Sequence, residues 1–416
     1  MLITELKRKR KVVLPLVLIL TCLSVFLYIT LSEDAPTTHG GSTFPNLYSS
    51  QNKKPGKLNT PLVPESPNKQ QPAGPFRKII FKDKKFEYSK ITYSSTSSKY
   101  QFEETNGETN IDPSKDTILV MSVIGNSAPY GKDREFSHFI QTILTLVENQ
   151  PNYIFSLALL SNNDDEFSRI QGFFEDETND LGLLSSIFES ISIISAPFLD
   201  QNTGFSREER HKDSVQRLRR RLIAKSRNFI MLNALESQQY ILTIDSDMVR
   251  FDEAAKIIPT FVNSDKDIIV PRIERPGLRD YDKNSWRGER TKPNQEQLDK
   301  MDNNDWEHWG YVPRDVKANM YHFQTYLDNK DNEYDLHKDE YEYIIPLDSV
   351  GGAILFMKSI VVKQGVIFPT SLIVGTTWDR VEGYDGIETE GICYLAKPLG
   401  FSCWGMPNVV GHHTGG

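Results

Sequence analysis

From Asp116 to Pro271 the chain alternates short, unbroken apolar runs with longer segments whose apolar residues recur three and four apart. The runs TILVMSVIG (117–125), YIFSLALL (153–160), ISIIS (191–195), YILTI (240–244) and DIIVP (267–271) have strand length and are too short for buried helices. Between them, residues 133–149 place Phe136, Phe139, Ile140, Ile143, Leu144 and Val147 on one helical face. An acidic helical stretch follows the second run. A long helix is predicted over roughly Arg207 to Ser237, with Val215, Leu218, Leu222, Phe229 and Leu232 at helical spacing. Residues 252–264 read as a helix that Pro259 should interrupt, because proline removes a donor and crowds the preceding turn. Strands that alternate with helices bury both faces of a sheet. The pattern therefore predicts an α/β fold with a mostly parallel central sheet flanked by helices.

The chain outside this region is organised differently. Lys7 to Lys11 form a basic run, and Val12 to Leu31 follow without a charge. About 20 apolar residues cross a bilayer as a helix. A cationic flank stays cytoplasmic, so residues 1–11 are expected to be a cytoplasmic tail, 12–31 a single N-terminal membrane anchor, and the rest lumenal or external. A cleaved signal peptide is the alternative, though its apolar core is usually shorter. Residues 32–75 are rich in Pro, Ser, Thr, Asn, Gln and Lys and read as an extended stalk. Residues 76–113 are aromatic and charged without a period, and packing on the domain that follows is left open for them. The stem is taken as 32–110 and the catalytic domain as 111–416. After Pro271, residues 274–343 are polar and rich in Trp, Tyr and Asp, too long a stretch for a plain connection. Regularity returns with a strand at GGAILFMKS (351–359), a short helix at TEGICYLAKPLG (389–400) stopped by Pro398, and a strand at FSCWGMP (401–407). Of the three cysteines, Cys22 lies in the span, while Cys393 and Cys403 lie near the C-terminus. An oxidising lumen would allow those two to pair, but nearness in sequence does not put their Cα atoms within bridging reach. The net charge of −8 gives no basic footprint for nucleic acid.

Asp245 and Asp247 end the run YILTIDSDMV (240–249). Two carboxylates so close repel each other and call for a cation between them. Open α/β sheets bind ligands beyond the carboxyl ends of their strands. If the backbone stays extended there, residues two apart point to one side. Paired carboxylates suit Mg²⁺ or Mn²⁺, and such an ion clamps a diphosphate as a leaving group. Asp-x-Asp also occurs at Asp265/Asp267 and Asp280/Asp282, and a solvated turn explains any one of them. Only the first pair closes an apolar run. The preceding helix carries Arg217, Arg219, Arg220, Arg221, Lys225 and Arg227. A basic helix is either a solvated face or one that recruits anions. Arg227, on the approach to the carboxylate strand, could pair with phosphate oxygens bidentately.

One ordered set of segments is distinctive: RHKDSVQRLRRRLIAKSRNFIMLNAL, YILTIDSDMV, DKDIIVP, YDKNSW, LDSVGGAILF, GVIFP, ETEG and PNVVGHH. Together they resemble glycosyltransferase family 62, the fungal Golgi α-1,6-mannosyltransferases that act as mannan polymerase subunits. The resemblance spans about Asp116 to His413. It implies a GT-A type fold, GDP-mannose as donor and Mn²⁺ (or Mg²⁺) as metal. It implies transfer with retention, building α-linked mannan on a mannose-containing N-glycan acceptor. It also implies a type II Golgi membrane protein that assembles with related mannosyltransferase subunits. Asp245 and Asp247 match the family's metal motif, with Ser246 where alanine is common. His413 matches a histidine that can complete the metal shell; His412 stands where tryptophan is frequent, so either histidine remains open as the ligand. Glu388 and Glu390 are candidates for binding acceptor hydroxyls or assisting proton removal, and helix-dipole partners otherwise. Asp348 is a candidate for orienting a sugar, or a simple strand-end residue. Asp282 and Trp286 are candidates for the donor or acceptor pocket, although such aromatics are as often core. An acidic insertion at about 328–342 has no counterpart in the pattern. Two other readings share these residues: a non-catalytic scaffold subunit, and a transferase for another nucleotide sugar such as UDP-galactose.

Overall fold

In the computed structural model the described residues are 74–96, 103–105, 108–110, 114–125, 128–176, 178–200, 212–288, 294–303, 305, 307, 320–370 and 387–415. All of them belong to one compact unit, Lys69–Gly416. The expected tail, the span 12–31 and the stalk up to 73 lie outside the described residues. Among the described residues no helix is long and apolar enough to cross a membrane.

The unit opens with β1 (Phe76–Asp83) and β2 (Tyr88–Ser95), an antiparallel hairpin. A separate ribbon, β3 (Glu103–Thr105) and β4 (Glu108–Asn110), follows. The alternating region then gives β5 (Asp116–Ile124), α1 (Phe136–Val147), β6 (Tyr153–Ser161), α2 (Asp164–Glu175), α3 (Leu181–Ile187), β7 (Phe188–Ser195), α4 (Asp213–Ala234) and β8 (Tyr240–Ile244). Strands β7, β6, β5 and β8 lie side by side and parallel. Each apolar run here became a strand because both of its faces are covered. Along β5, Ile118, Val120 and Ile124 join one core with Phe139 and Ile140 of α1, while Leu119 and Met121 join the other with Ile230 and Met231 of α4.

Beyond β8 come β9 (Met248–Phe251), α5 (Ala254–Asn263), β10 (Ile268–Glu274), β11 (Trp286–Gly288), α6 (Gln295–Asp302), β12 (Met320–His322) and α7 (Phe323–Asp328). A π turn (Lys330–Tyr334), α8 (Asp335–His337), β13 (Ile345–Leu347), β14 (Ile354–Lys358), α9 (Ser359–Lys363), α10 (Glu388–Ala396) and β15 (Cys403–His413) follow among the described residues. Among the described residues the central sheet has 11 strands in the order β1-β2-β7-β6-β5-β8-β14-β10-β15-β13, with β9 on β15. It is mixed, not mostly parallel. β14 enters from the loop that packs on Asp245, at the end where β8 finishes, so it returns antiparallel to β8. β10 is likewise antiparallel to β14 but parallel to β15.

Three further expectations are corrected. The residues read as the end of the stem are not stem: β2 pairs with β7, so the hairpin at 76–95 is the edge of the central sheet. Pro259 does not interrupt α5. The carbonyl that loses its helical donor there is that of Ala255, and Gln150 Nε2 donates to it at 2.7 Å. Helix α4 buries the predicted face only in part: Val215 is buried and Leu222 and Phe229 pack on the core, but Leu218 and Leu232 are exposed. Leu232 is 67% exposed, while Ala224, Ser226, Arg227, Ile230, Met231 and Ala234 are buried. The alanines let the helix approach the sheet closely, and the buried stripe carries a charged residue. β10 also runs on past Pro271, with a register shift against β15 at Pro271/Arg272, the kind of place where a strand tolerates proline. Arg272 Nε donates to Pro407 O across this irregularity at 2.7 Å. Cys393 and Cys403 form a disulfide, Cα–Cα 6.0 Å, which fastens α10 to the start of β15.

Candidate metal and diphosphate site

Asp245 is the first residue past β8. Its N–H donates to Ala353 O at 2.8 Å, and its carbonyl accepts from Met248 N–H at 3.2 Å. Residues 245–248 are therefore a turn, not the extended segment expected. Ser246 Oγ donates to Pro129 O at 2.6 Å and pins that turn. Both carboxylates nevertheless line one cavity of about 360 Å³, together with Asp282, Gly352, Glu388 and His413.

Arg227 organises the floor of this cavity. Its guanidinium is buried, with Nη2 donating to Asp245 Oδ1 (2.8 Å) and Gly352 O (2.9 Å), and Nη1 to Glu388 Oε1 (2.9 Å). It also lies over the Phe368 ring, 5.4 Å from the centroid. The phosphate clamp predicted from sequence is thus a positioning residue, committed to two carboxylates and a carbonyl. Burial pushes the Asp245 carboxyl up to about 6; Arg227 opposes this and the charge of Asp247 reinforces it. The Asp245 side chain is 41% exposed into the cleft, so solvent softens the burial effect.

Asp282 holds the same Gly352 loop. Its Oδ2 accepts from the N–H groups of Gly352 (2.8 Å) and Ala353 (3.3 Å). Burial raises its carboxyl despite those donors. The loop must carry two glycines. A Cβ on Gly351 would sit 2.1 Å from Asp282 Oδ2, and one on Gly352 would sit 2.6 Å from Arg227 Nη1.

Strand alternation along β15 turns the two histidines different ways. His412 turns to Asp252, with Nε2 3.0 Å from Oδ1. His413 turns into the cavity, its Nε2 3.0 Å from Asp247 Oδ2. His413 Nδ1 lies 3.0 Å from Thr414 O, a carbonyl that only accepts. Nδ1 therefore carries the hydrogen, and Nε2 is the nitrogen presented to the carboxylates. Burial works against a charged ring here, but the hydrogen bond and charge of Asp247 win and raise His413 above its usual value. Two carboxylates and a tautomer-fixed imidazole are a donor set that fits Mn²⁺. Among the described residues no three His, Cys, Asp or Glu side chains already converge on one point. Asp245 is turned to Arg227, and Asp247 to His413.

The cavity rim is cationic. Arg219, Arg220, Arg275 and Lys283 all line it. Lys283 Nζ is steered by Asp280 Oδ2 at 3.1 Å. Arg275 lies over Tyr281, 4.7 Å from its centroid, and Tyr281 packs on His413 at 4.6 Å. Arg275, Tyr281, Lys283 and Asn284 were not singled out from sequence; the segment YDKNSW held three of them, but only Asp282 and Trp286 were drawn from it.

Three predicted residues lie elsewhere. Glu390 is 0% exposed and accepts from Tyr394 OH at 3.0 Å. Two residues apart on a helix means about 200° around it, so Glu388 and Glu390 cannot share a face. Asp348 caps the end of β11, accepting from Gly288 N–H at 2.9 Å, and faces Lys397 at 3.7 Å. Trp286 is core, 2% exposed.

Residues 96–371 match the family model described as Anp1. The mannan polymerase complex subunit mnn9 of Schizosaccharomyces pombe is 32% identical over 52% of this chain and 58% of its own length. The mannan polymerase II complex anp1 subunit of the same organism is 25% identical over 72% of this chain and 64% of its length. The mannan polymerase I complex VAN1 subunit of Saccharomyces cerevisiae is 26% identical over 54% of this chain and 39% of its length. The chain thus spans less than two thirds of each of these relatives. A crystal structure of GalNAc-T7 with UDP, GalNAc and Mn²⁺ aligns at 13% identity and a TM-score of 0.35, over 72% of this chain and 43% of that one, a likeness too loose to argue from.

Proposed function

The chain belongs to the Anp1 family, and from that premise we propose that it is a metal-dependent mannosyltransferase with a GT-A type fold. Its donor is GDP-mannose and its acceptor a mannose-containing N-glycan, extended with α-linked, α-1,6 mannan under retention. Its relatives are named as subunits of mannan polymerase complexes, and this chain works beside related subunits, as a type II protein of the Golgi membrane.

One observation carries the reading. Asp245, Asp247 and His413 all line one cavity that Arg219, Arg220, Arg275 and Lys283 also line. Acidic and imidazole ligands below, with cations around, is the charge pattern that receives a divalent ion carrying a diphosphate. Asp245, Asp247 and His413 would hold the ion. Bound there, it would neutralise charge on the departing diphosphate. Arg227 keeps Asp245 and Glu388 in place. Glu388, on the cavity wall, is the carboxylate closest in role to one that binds the acceptor hydroxyl or takes its proton.

The test is thermal unfolding of the full chain with Mn²⁺ and GDP, separately and together, followed by turnover of GDP-mannose. A ligand bound only by the folded state raises the midpoint. The expected result is a shift that needs both, with turnover lost in Asp247→Ala and its fold retained. A shift with UDP but not GDP would replace the donor. Binding without turnover in any assembled complex would leave a scaffold subunit.

A further inference from the structure

A second cavity, of about 710 Å³, adjoins the first and shares Arg275, His413 and Thr414 with it. Its lining holds five cationic side chains and one carboxylate, in a chain whose net charge is −8. That carboxylate, Glu274, is already paired with buried Arg272. Arg250 is paired with Asp252 at 2.6 Å. Arg134 is spent on protein oxygens, donating to Tyr130 O, Met248 O, His138 O and Thr142 Oγ1. Lys132, Arg275 and Arg279 have no acidic partner among the described residues.

The geometry that presents the two arginines is built. Arg275 and Leu278 exchange both backbone hydrogen bonds, N–H to O at 3.0 and 2.9 Å, around Pro276-Gly277. Gly277 has φ +81°, which a proline–glycine turn requires and other residues resist. The turn stands on Arg272, whose Nη1 donates to Arg279 O at 2.5 Å. Arg275 is further held on the face of Tyr281. Exposed Lys132 and Arg279, with Arg275 held between the two cavities, put three cations without an acidic partner around one concavity, which attracts a compact dianion and not a neutral sugar.

We propose that this cavity is a second anion site, and that it takes the phosphate ester of a phosphorylated saccharide lying beside the transfer site. Only the saccharide part of that ligand rests on the transferase reading; the anion site itself does not. The donor diphosphate is the other source of such an anion, and competition separates the two.

The experiment is calorimetric titration of the full chain with mannose 6-phosphate, with mannose, and with inorganic phosphate, repeated under saturating Mn²⁺ and GDP. The variants are Arg279→Ser and Lys132→Ser, whose side chains are exposed and whose backbone bonds are kept. Mannose 6-phosphate should bind well above mannose, stay bound when GDP saturates, and lose about tenfold in affinity in each variant, the loss of a charge-assisted contact. Unchanged affinity in both variants would overturn the site. Displacement of mannose 6-phosphate by GDP would overturn it too, assigning these cations to the donor. If GDP does not bind wild-type protein while the phosphate ester does, the transferase reading fails and the anion site stands.

Discussion

Replacing Gly352 by alanine tests the floor of the cavity with one methyl group. That methyl would lie 2.6 Å from Arg227 Nη1, 2.8 Å from Nη2 and 3.1 Å from Cζ. An unstrained contact needs nearly 1 Å more. The guanidinium cannot swing away freely, because it is 4% exposed and packed against Phe368. Moving it by that amount stretches the 2.9 Å bond to Glu388 and the 2.8 Å bond to Asp245 past hydrogen-bonding length. Overpacking alone costs about 1–3 kcal/mol. Leaving a buried carboxylate without its partner costs about 3–5 kcal/mol. Asp245 reaches solvent and recovers part of its loss, whereas Glu388 is nearly buried. We therefore expect Gly352→Ala to destabilise by about 3 kcal/mol, between those two limits. Urea unfolding followed by circular dichroism reads this as a lower midpoint at unchanged slope. A change below about 1 kcal/mol would mean that the guanidinium has room to move, and that Arg227 does not position the two carboxylates.

The two histidines separate cleanly: His413→Ala should weaken Mn²⁺ binding by about 10–100-fold, and His412→Ala should leave it nearly intact, as measured by calorimetry. Equal losses would contradict the strand alternation. Mn²⁺ affinity should fall as pH drops through about 6, because Asp245 is pushed up to about 6 and His413 is raised, so both retain protons that the cation must displace. A titration flat from pH 5 to 8 would remove these groups from the metal shell. Reducing agent should lower the unfolding midpoint by an amount equivalent to about 2–3 kcal/mol, and Cys393→Ser/Cys403→Ser should abolish that sensitivity. A midpoint indifferent to reductant in the wild type would argue that the bridge carries no stability.

The β5 to β8 region was legible because its strands are covered on both faces, which writes itself as unbroken apolar runs. The hairpin at 76–95 was not, because β1 faces solvent along nearly its whole length and its sequence FRKIIFKD shows neither alternation nor a full apolar run. The face of α4 was misjudged for a chemical reason. The pattern treats Leu232 as core and aims Arg227 at a phosphate, yet the guanidinium is buried and holds two carboxylates. Pro259 was read as a break because its remedy, the side chain of Gln150, lies 105 residues from Ala255. At the site, Asp245, Asp247 and His413 could be found from strand-end position and the family's motif. The placing of Asp348, Glu390 and Trp286 was not legible, because it depends on how α10 and β11 pack, which local pattern does not encode. Arg275 carried no local signal beyond its place at the end of β10.

The contacts that shape the cavity join remote parts of the chain. Arg227 reaches Glu388 across 161 residues and Gly352 across 125, and Gly352 reaches Asp282 across 70. Loops this long close slowly, and their entropy is lost before the contacts form. The four parallel strands can be completed during synthesis while β15 is still to be made. A chain at that stage holds Asp245 and Asp247 at a strand end, with neither Glu388 nor His413 to meet them. Under the proposed metal site, metal competence would be a late event in the birth of the molecule, and cation binding would report on whether β15 has found its place.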